Sequence, residues 1–290
     1  MCRECGCGLG GEPRILSARD AETGGSGSMQ ARPGPSTGPV AGEVHSPHGH
    51  EHPDIHRAPL HAHPEEATGQ TVVLHRSLLE KNQRLAEQNR GFFRAKGLLV
   101  LNVVSAPGSG KTTLIERTVS GLRGRLKCGV IVGDLATDRD AQRLRGAGIP
   151  VVQVATGTVC HLDAEMVRRA LRDLPLDGLE LLILENVGNL VCPADFDLGE
   201  DLRVVLMSVT EGEDKPLKYP PLFHSAHVAL ITKVDLAEVV GFDRAAALDH
   251  LHRVSHHARI FELSAKTGAG MDEWLSFLVA EHERVKSQPW

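Results

Sequence analysis

The sequence predicts an α/β domain, a mainly parallel β-sheet flanked by helices, behind a disordered extension rich in cysteine and histidine. Three observations predict it. From Val72 onward, short apolar runs rich in Val and Ile alternate with amphipathic stretches. The first 70 residues are dense in Gly, Pro, Ser and His and show no sustained apolar pattern. A glycine-containing loop stands between the first strong apolar run and the amphipathic stretch after it.

Composition narrows the class. The chain has 290 residues, 41% of them hydrophobic, and about 200 remain to build a core, enough for one α/β domain. The formal net charge is −5 and no basic block occurs, which argues against nucleic acid or a membrane surface as the main partner. No run approaches the roughly 18 apolar residues of a membrane span. Met1-Cys2-Arg3-Glu4-Cys5 lacks the apolar core of a signal peptide, so a cytoplasmic location is expected. Six cysteines (Cys2, Cys5, Cys7, Cys128, Cys160 and Cys192) are too unevenly placed for a disulfide framework. In a cytosolic chain they suggest metal binding or burial.

The elements follow in order. Residues 1–8 are a Cys/Gly motif and residues 9–70 a linker, where few apolar groups offset the entropy of ordering. Residues 72–290 form the folded domain. It begins with a helix over 76–96, whose Leu78, Leu79, Leu85, Phe92 and Phe93 make an apolar stripe and which Gly97 stops. Strands are expected at 98–105, 128–133, 150–155, 179–185, 204–209, 226–232 and 259–263. Helices are expected at 111–122, 138–147, 162–171, 243–254 and 271–286. Buried strands alternating with helices mean parallel pairing, with ligands at the carboxyl ends of the strands.

The loop Ser105-Ala-Pro-Gly-Ser-Gly-Lys-Thr112 matches the phosphate-loop pattern, except that Ser105 replaces the first glycine. Gly108, Ser109 and Gly110 let main-chain N–H groups face phosphate oxygens, aided by the helix N-terminus. Lys111 reaches the β- and γ-phosphates, the Thr112 hydroxyl can ligate Mg2+, and Thr113 extends the cradle. The fold is therefore expected to be a P-loop NTPase. Thr232-Lys-Val-Asp235 follows another strand. Asp235 can accept from guanine N1–H and the 2-amino group, a donor pair adenine lacks, and Lys233 would lie along the base. Thr232 replaces the commoner Asn, so a weaker link to the phosphate loop is expected. Ser264-Ala-Lys266 resembles the loop that touches the guanine O6. GTP is therefore expected over ATP, and GDP as the product. Glu185 occupies the place of the acid that holds Mg2+ directly or through water. Asp134 can hold a Mg2+-bound water or position the attacking one.

Three features suggest transition metal. Cys2, Cys5 and Cys7 can converge on one soft or borderline ion, with square-planar nickel accessible; the bland reading is a frayed tail. His45, His48, His50, His52, His56, His61 and His63 offer weak, exchangeable imidazole sites for Ni, Zn or Cu, or are only a His-rich spacer. Cys160-His161 and Cys192 follow different strands and should emerge at the nucleotide edge, although an isolated buried Cys is usually packing.

Four stretches carry a close resemblance over roughly residues 72–286: Asn102 to Thr113, Gly157-Thr-Val-Cys-His-Leu-Asp-Ala164, Glu185-Asn-Val-Gly-Asn-Leu-Val-Cys-Pro193 and Ser208-Val-Thr-Glu-Gly-Glu-Asp-Lys-Pro216. The chain resembles the hydrogenase nickel-incorporation GTPases, the HypB family of the SIMIBI class. That resemblance implies a GTP-dependent homodimer. It implies metal at the dimer interface through Cys160, His161 and Cys192, and tight nickel binding through Cys2, Cys5 and Cys7. It further implies Ni2+ transfer to the [NiFe]-hydrogenase large subunit, aided by a small zinc-containing nickel metallochaperone. Zn2+ is a second candidate for the Cys160/His161/Cys192 site. The rival readings are a urease-type nickel GTPase, whose usual Cys-Pro-His triplet is missing here, and a nickel storage protein with an accessory GTPase.

Overall fold

The computed structural model describes residues 14–16, 64–135 and 138–287. Cys2, Cys5, Cys7 and the histidines from His45 to His63 lie outside the described residues, as do the motif read at 1–8 and most of the linker read at 9–70.

The elements run β1 (Arg14–Leu16), α1 (Pro64–Lys96), β2 (Leu99–Ser105), α2 (Lys111–Gly121), β3 (Cys128–Asp134), α3 (Arg139–Gly146), β4 (Val151–Ala155), α4 (Ala164–Ala170) and β5 (Leu181–Glu185). They continue with β6 (Leu202–Ser208), α5 (Lys215–Lys218), α6 (Pro220–His224), β7 (Val228–Thr232), α7 (Arg244–Val254), β8 (Arg259–Leu263) and α8 (Met271–Ser287). All seven expected strands are present within two residues of their expected bounds. They form one sheet in the order β1-β4-β3-β5-β2-β6-β7-β8. Every pairing from β4 to β8 is parallel, and β1 alone runs antiparallel, with Ile15 opposite Val154.

Alternation along the strands builds two apolar layers. Leu99, Leu101 and Val103 of β2 face one side, with Leu114 and Ile115 of α2, Leu144 of α3, and Trp274 and Leu278 of α8. Val100, Ile131, Val152 and Leu182 face the other, under Phe93 of α1 and Val167 and Ala170 of α4. On that side β6 and β7 contribute Val205, Met207 and Ile231 to a neighbouring cluster with Phe223, Ala247 and Leu251. The central strands β2 and β5 are buried along their whole length, as a sheet covered on both faces requires.

Four expectations are corrected. Residues 14–16 are an edge strand inside the stretch read as linker; three residues are too few to leave a period in the sequence. The first helix begins at Pro64 rather than at 76. Proline is tolerated at a first helical position, while Gly69 and the β-branched Thr71, Val72 and Val73 lower helix propensity and mask the continuity. The buried face of α1 is Asn82, Ala86, Asn89 and Phe93, whereas Leu78 and Phe92 are exposed. The helix docks through amides: Asn82 donates to the Asp197 carbonyl at 2.8 Å and accepts from the Ala164 N–H at 2.9 Å. Asn89 donates to the carbonyls of Ala164 and Leu198 at 2.9 and 3.1 Å. Finally, residues 215–218, outside every helix expected from the sequence, form α5, whose Pro216 sits in the first turn where no N–H is needed.

Candidate nucleotide and metal site

The parallel strands deliver their following loops to one edge of the sheet. Central among them, β2 ends at Ser105, and the chain curls through Gly108 (φ 76°) and Gly110 (φ 96°) into α2. These left-handed conformations favour glycine and turn main-chain N–H groups inward. Buried Lys111 donates from Nζ to Ser105 Oγ at 3.0 Å, so the serine replacing the first glycine holds the lysine in place. Burial pushes the Lys111 pKa down, and the nearby Glu185 carboxylate opposes this.

A cavity of about 410 Å³ opens against this loop. Gly108, Gly110, Lys111, Thr112 and Thr113 line one wall, and Asp134 and Glu185 stand on the other. The Thr112 hydroxyl donates to Glu185 Oε1 at 2.7 Å. Glu185 Oε2 is buried with no hydrogen-bond partner. Burial pushes the Glu185 carboxyl up to about 7, against the lowering effects of the Thr112 bond and the Lys111 charge. A hydroxyl and an orphaned carboxylate oxygen side by side fit a hard divalent cation. Asp140 and Arg143 also line the cavity, and Arg143 donates to Thr113 Oγ1 at 3.1 Å. Sequence reasoning missed both, since charged residues on a short helix carry no distinctive pattern.

The base-reading candidates do not line this cavity. They stand further along the same edge, where Thr232 of β7 and Leu263 of β8 are register partners. Residues 233–235 and 264–266 therefore leave adjacent strands together. Thr232 Oγ1 donates to the Ser109 carbonyl at 3.0 Å and Lys233 Nζ to the Gly108 carbonyl at 2.7 Å. The Thr232 side chain thus reaches the main chain of the phosphate loop. Lys233 is the one non-glycine residue with positive φ (58°) among those described. Asp235 sits exposed in a 3₁₀ turn, Val234–Leu236. Buried Ser264 closes its own loop by accepting from the Gly268 N–H at 2.8 Å, which leaves Ala265 and Lys266 at the rim.

Cys160, His161 and Cys192 converge: one ligand atom from each lies within 4.8 Å of the others. The two sulfurs are 2.8 Å apart. His161 Nδ1 is buried without a hydrogen-bond partner, and burial pushes the imidazole pKa down to about 4. A neutral imidazole beside two thiols suits a borderline transition metal. Phe196 covers the ring, with centroids 3.9 Å apart.

One segment, 185–192, joins this cluster to the cavity. Glu185 begins it. Asn186 Oδ1 accepts from the Leu162 N–H, directly after His161, at 3.0 Å. A Cβ on Gly188 would stand 3.0 Å from Pro107 Cα, so any side chain there would push the segment and the phosphate loop a few tenths of an ångström apart. Asn189 donates to the Cys160 carbonyl at 3.4 Å, and Cys192 supplies a donor to the cluster. Beneath it, Asn186 donates to Asn102 Oδ1, Asn102 donates to Glu200 Oε1, and the same Glu200 oxygen accepts from Arg203 Nε. Arg203 also donates to the carbonyls of Ala194 and Phe196 at 2.9 Å each. Asn102, Asn186, Phe196, Glu200 and Arg203 were all missed by sequence reasoning. Their traces are a polar residue inside an expected apolar strand, at 102, and the quoted stretches that hold Asn102 and Asn186.

The chain is similar to several known proteins. Residues 99–262 match the family model described as CobW/HypB/UreG, nucleotide-binding domain. The hydrogenase maturation factor HypB of Escherichia coli (strain K12) is 44% identical over 285 residues, covering 96% of this chain and 98% of that protein. The crystal structure of HypB from Archaeoglobus fulgidus matches with a TM-score of 0.66 at 43% identity, over 70% of this chain and 99% of that one. The crystal structure of HypB from Helicobacter pylori in complex with nickel matches with a TM-score of 0.68 at 38% identity, over 72% of this chain and 100% of that one.

Proposed function

Because this chain belongs to the HypB family, within the CobW/HypB/UreG group of nucleotide-binding domains, we propose that it is a GTP-hydrolysing maturation factor that delivers Ni2+ to the large subunit of a [NiFe]-hydrogenase. The observation that carries this reading is the segment 185–192, which touches the phosphate loop at one end and contributes Cys192 to the metal cluster at the other.

Each part has a role. The main chain of residues 108–113 and the Lys111 ammonium bind the triphosphate and offset charge that builds up as the γ-phosphoryl group leaves. Asp235, with Lys233 and residues 264–266, selects guanine. Thr112 and Glu185 would hold Mg2+, which would neutralise phosphate charge when bound. Asp134 orients the water that attacks the γ-phosphorus. The new P–O bond forms as the bond to GDP breaks, giving GDP and phosphate. Nickel is cargo, bound by Cys160, His161 and Cys192, where Zn2+ competes. The state of the γ-phosphate moves Glu185–Gly188, and Asn186 and Asn189 carry that movement to residues 160–162.

The partners belong to the same reading. They are a second copy of this chain, a small zinc-containing nickel metallochaperone and the hydrogenase large subunit, met in the cytoplasm. Among the described residues, no helix is long and apolar enough to cross a membrane. The test is nickel binding and release by the full chain with GDP and with a non-hydrolysable GTP analogue. The reading expects different nickel affinities in the two states; equal affinities would remove the coupling. Lys111→Ala should lower GTP hydrolysis by at least about a hundredfold, the typical loss when a charge-stabilising donor is removed.

A further inference from the structure

A separate group of imidazoles stands at the opposite edge of the sheet. His224 ends α6, directly ahead of β7, and His256 and His257 stand directly ahead of β8. All three are exposed at the amino ends of parallel strands, whereas the nucleotide cavity and the cysteine cluster lie at the carboxyl ends. We propose that His224 and His257 form a second binding site for a borderline divalent cation such as Ni2+ or Zn2+.

The geometry supports each donor in turn. His256 and His257 are the central residues of a turn closed by the Ala258 N–H donating to the Ser255 carbonyl at 3.0 Å. That turn fixes where both rings leave the backbone. His224 Nδ1 lies 3.2 Å from the Val254 carbonyl oxygen. A carbonyl can only accept, so Nδ1 carries the proton and Nε2 keeps its lone pair, the arrangement common to metal-ligating histidines. The His224 and His257 ring centroids are 5.5 Å apart with planes at 83°. The His256 and His257 centroids are 5.4 Å apart at 85°. With nitrogen–metal bonds of about 2.0–2.1 Å, two imidazoles on one ion stand with centroids roughly 4.5–5.2 Å apart. A shift of under about 1 Å, within the reach of exposed side chains, closes that difference.

The same chemistry excludes the neighbour. His227 Nδ1 accepts the Arg203 N–H at 2.9 Å, so its proton sits on Nε2 and no outward lone pair remains. A pair of imidazoles selects Ni, Zn or Cu over Mg or Ca. Solvent completes the coordination, which makes the site exchangeable. It depends on neither GTP nor the cysteines.

The test is histidine modification by diethylpyrocarbonate on the full chain, read residue by residue by mass spectrometry, with NiCl2, ZnCl2 or MgCl2. At ten times the dissociation constant, Ni2+ or Zn2+ should slow modification of His224 and His257 about tenfold. His252, exposed on α7 and outside any ring contact, should react unchanged in the same molecule, and Mg2+ should protect nothing. In His224→Ala, protection of His257 should be lost. Equal modification of His224 and His257 with and without Ni2+ and Zn2+ overturns the proposal. So does full protection of His257 in His224→Ala.

Discussion

The Leu162 main-chain N–H donates to the Asn186 side-chain oxygen at 3.0 Å, tying the residue after His161 to the residue after Glu185. Asn186 is buried, and its amide group also donates to Asn102 Oδ1 at 3.2 Å. Asn186→Ala would strand the buried Leu162 N–H and is expected to cost about 1–3 kcal/mol of stability. It should also shrink the difference in nickel affinity between the GDP state and the GTP-analogue state. Denaturant titration checks the first effect and nickel titration in both states the second. An unchanged affinity ratio would show that movement reaches the cluster by another route.

Glu185 should make cation binding depend on pH. Its folded pKa of about 7 lies above the ordinary value of 4.5 because burial disfavours the charged form. Its contribution to the stability of the cation-free protein is therefore fully present below about pH 4.5 and is lost as pH rises through about 7. A bound cation must displace that proton, so apparent Mg2+ affinity should rise by up to about tenfold per pH unit below pH 7 and level off above it. Glu185→Gln should remove this slope. Mg2+ titrations across pH 5.5–8.5 measure both, and a slope that survives in Glu185→Gln assigns it to another group.

Arg203 should matter for both stability and metal. It pairs with Glu200 in the interior at 3.0 Å and holds the carbonyls of Ala194 and Phe196, which follow Cys192. Arg203→Ala leaves the Glu200 charge buried and is expected to destabilise the fold by about 3–5 kcal/mol. Phe196→Ala, which leaves the ion pair intact, should weaken nickel binding with a smaller loss of stability. Thermal melts and nickel titrations separate the two variants.

The proposed choice of guanine rests on Asp235. Asp235→Asn replaces a charged acceptor with a neutral group that presents only one acceptor to two guanine donors. GTP affinity should fall by about ten- to a hundredfold, the value of hydrogen bonds to a charged group, with ATP affinity unchanged. Equal losses for both nucleotides would place Asp235 outside base recognition.

The sequence by itself determined the parallel sheet, the phosphate loop and the edge at which the ligand groups gather. Each of these is local: seven apolar runs, one Gly-Ser-Gly-Lys-Thr turn, and loops that must follow parallel strands. The tertiary structure alone decided how those parts are joined. The docking of α1 through Asn82 and Asn89, the covering of His161 by Phe196 and the chain from Asn186 to Arg203 pair residues far apart in the sequence. Such pairs leave no period. An asparagine reads as a surface or turn residue until the fold places a carbonyl and an N–H beside it, because a buried amide is stable only where its hydrogen bonds are met.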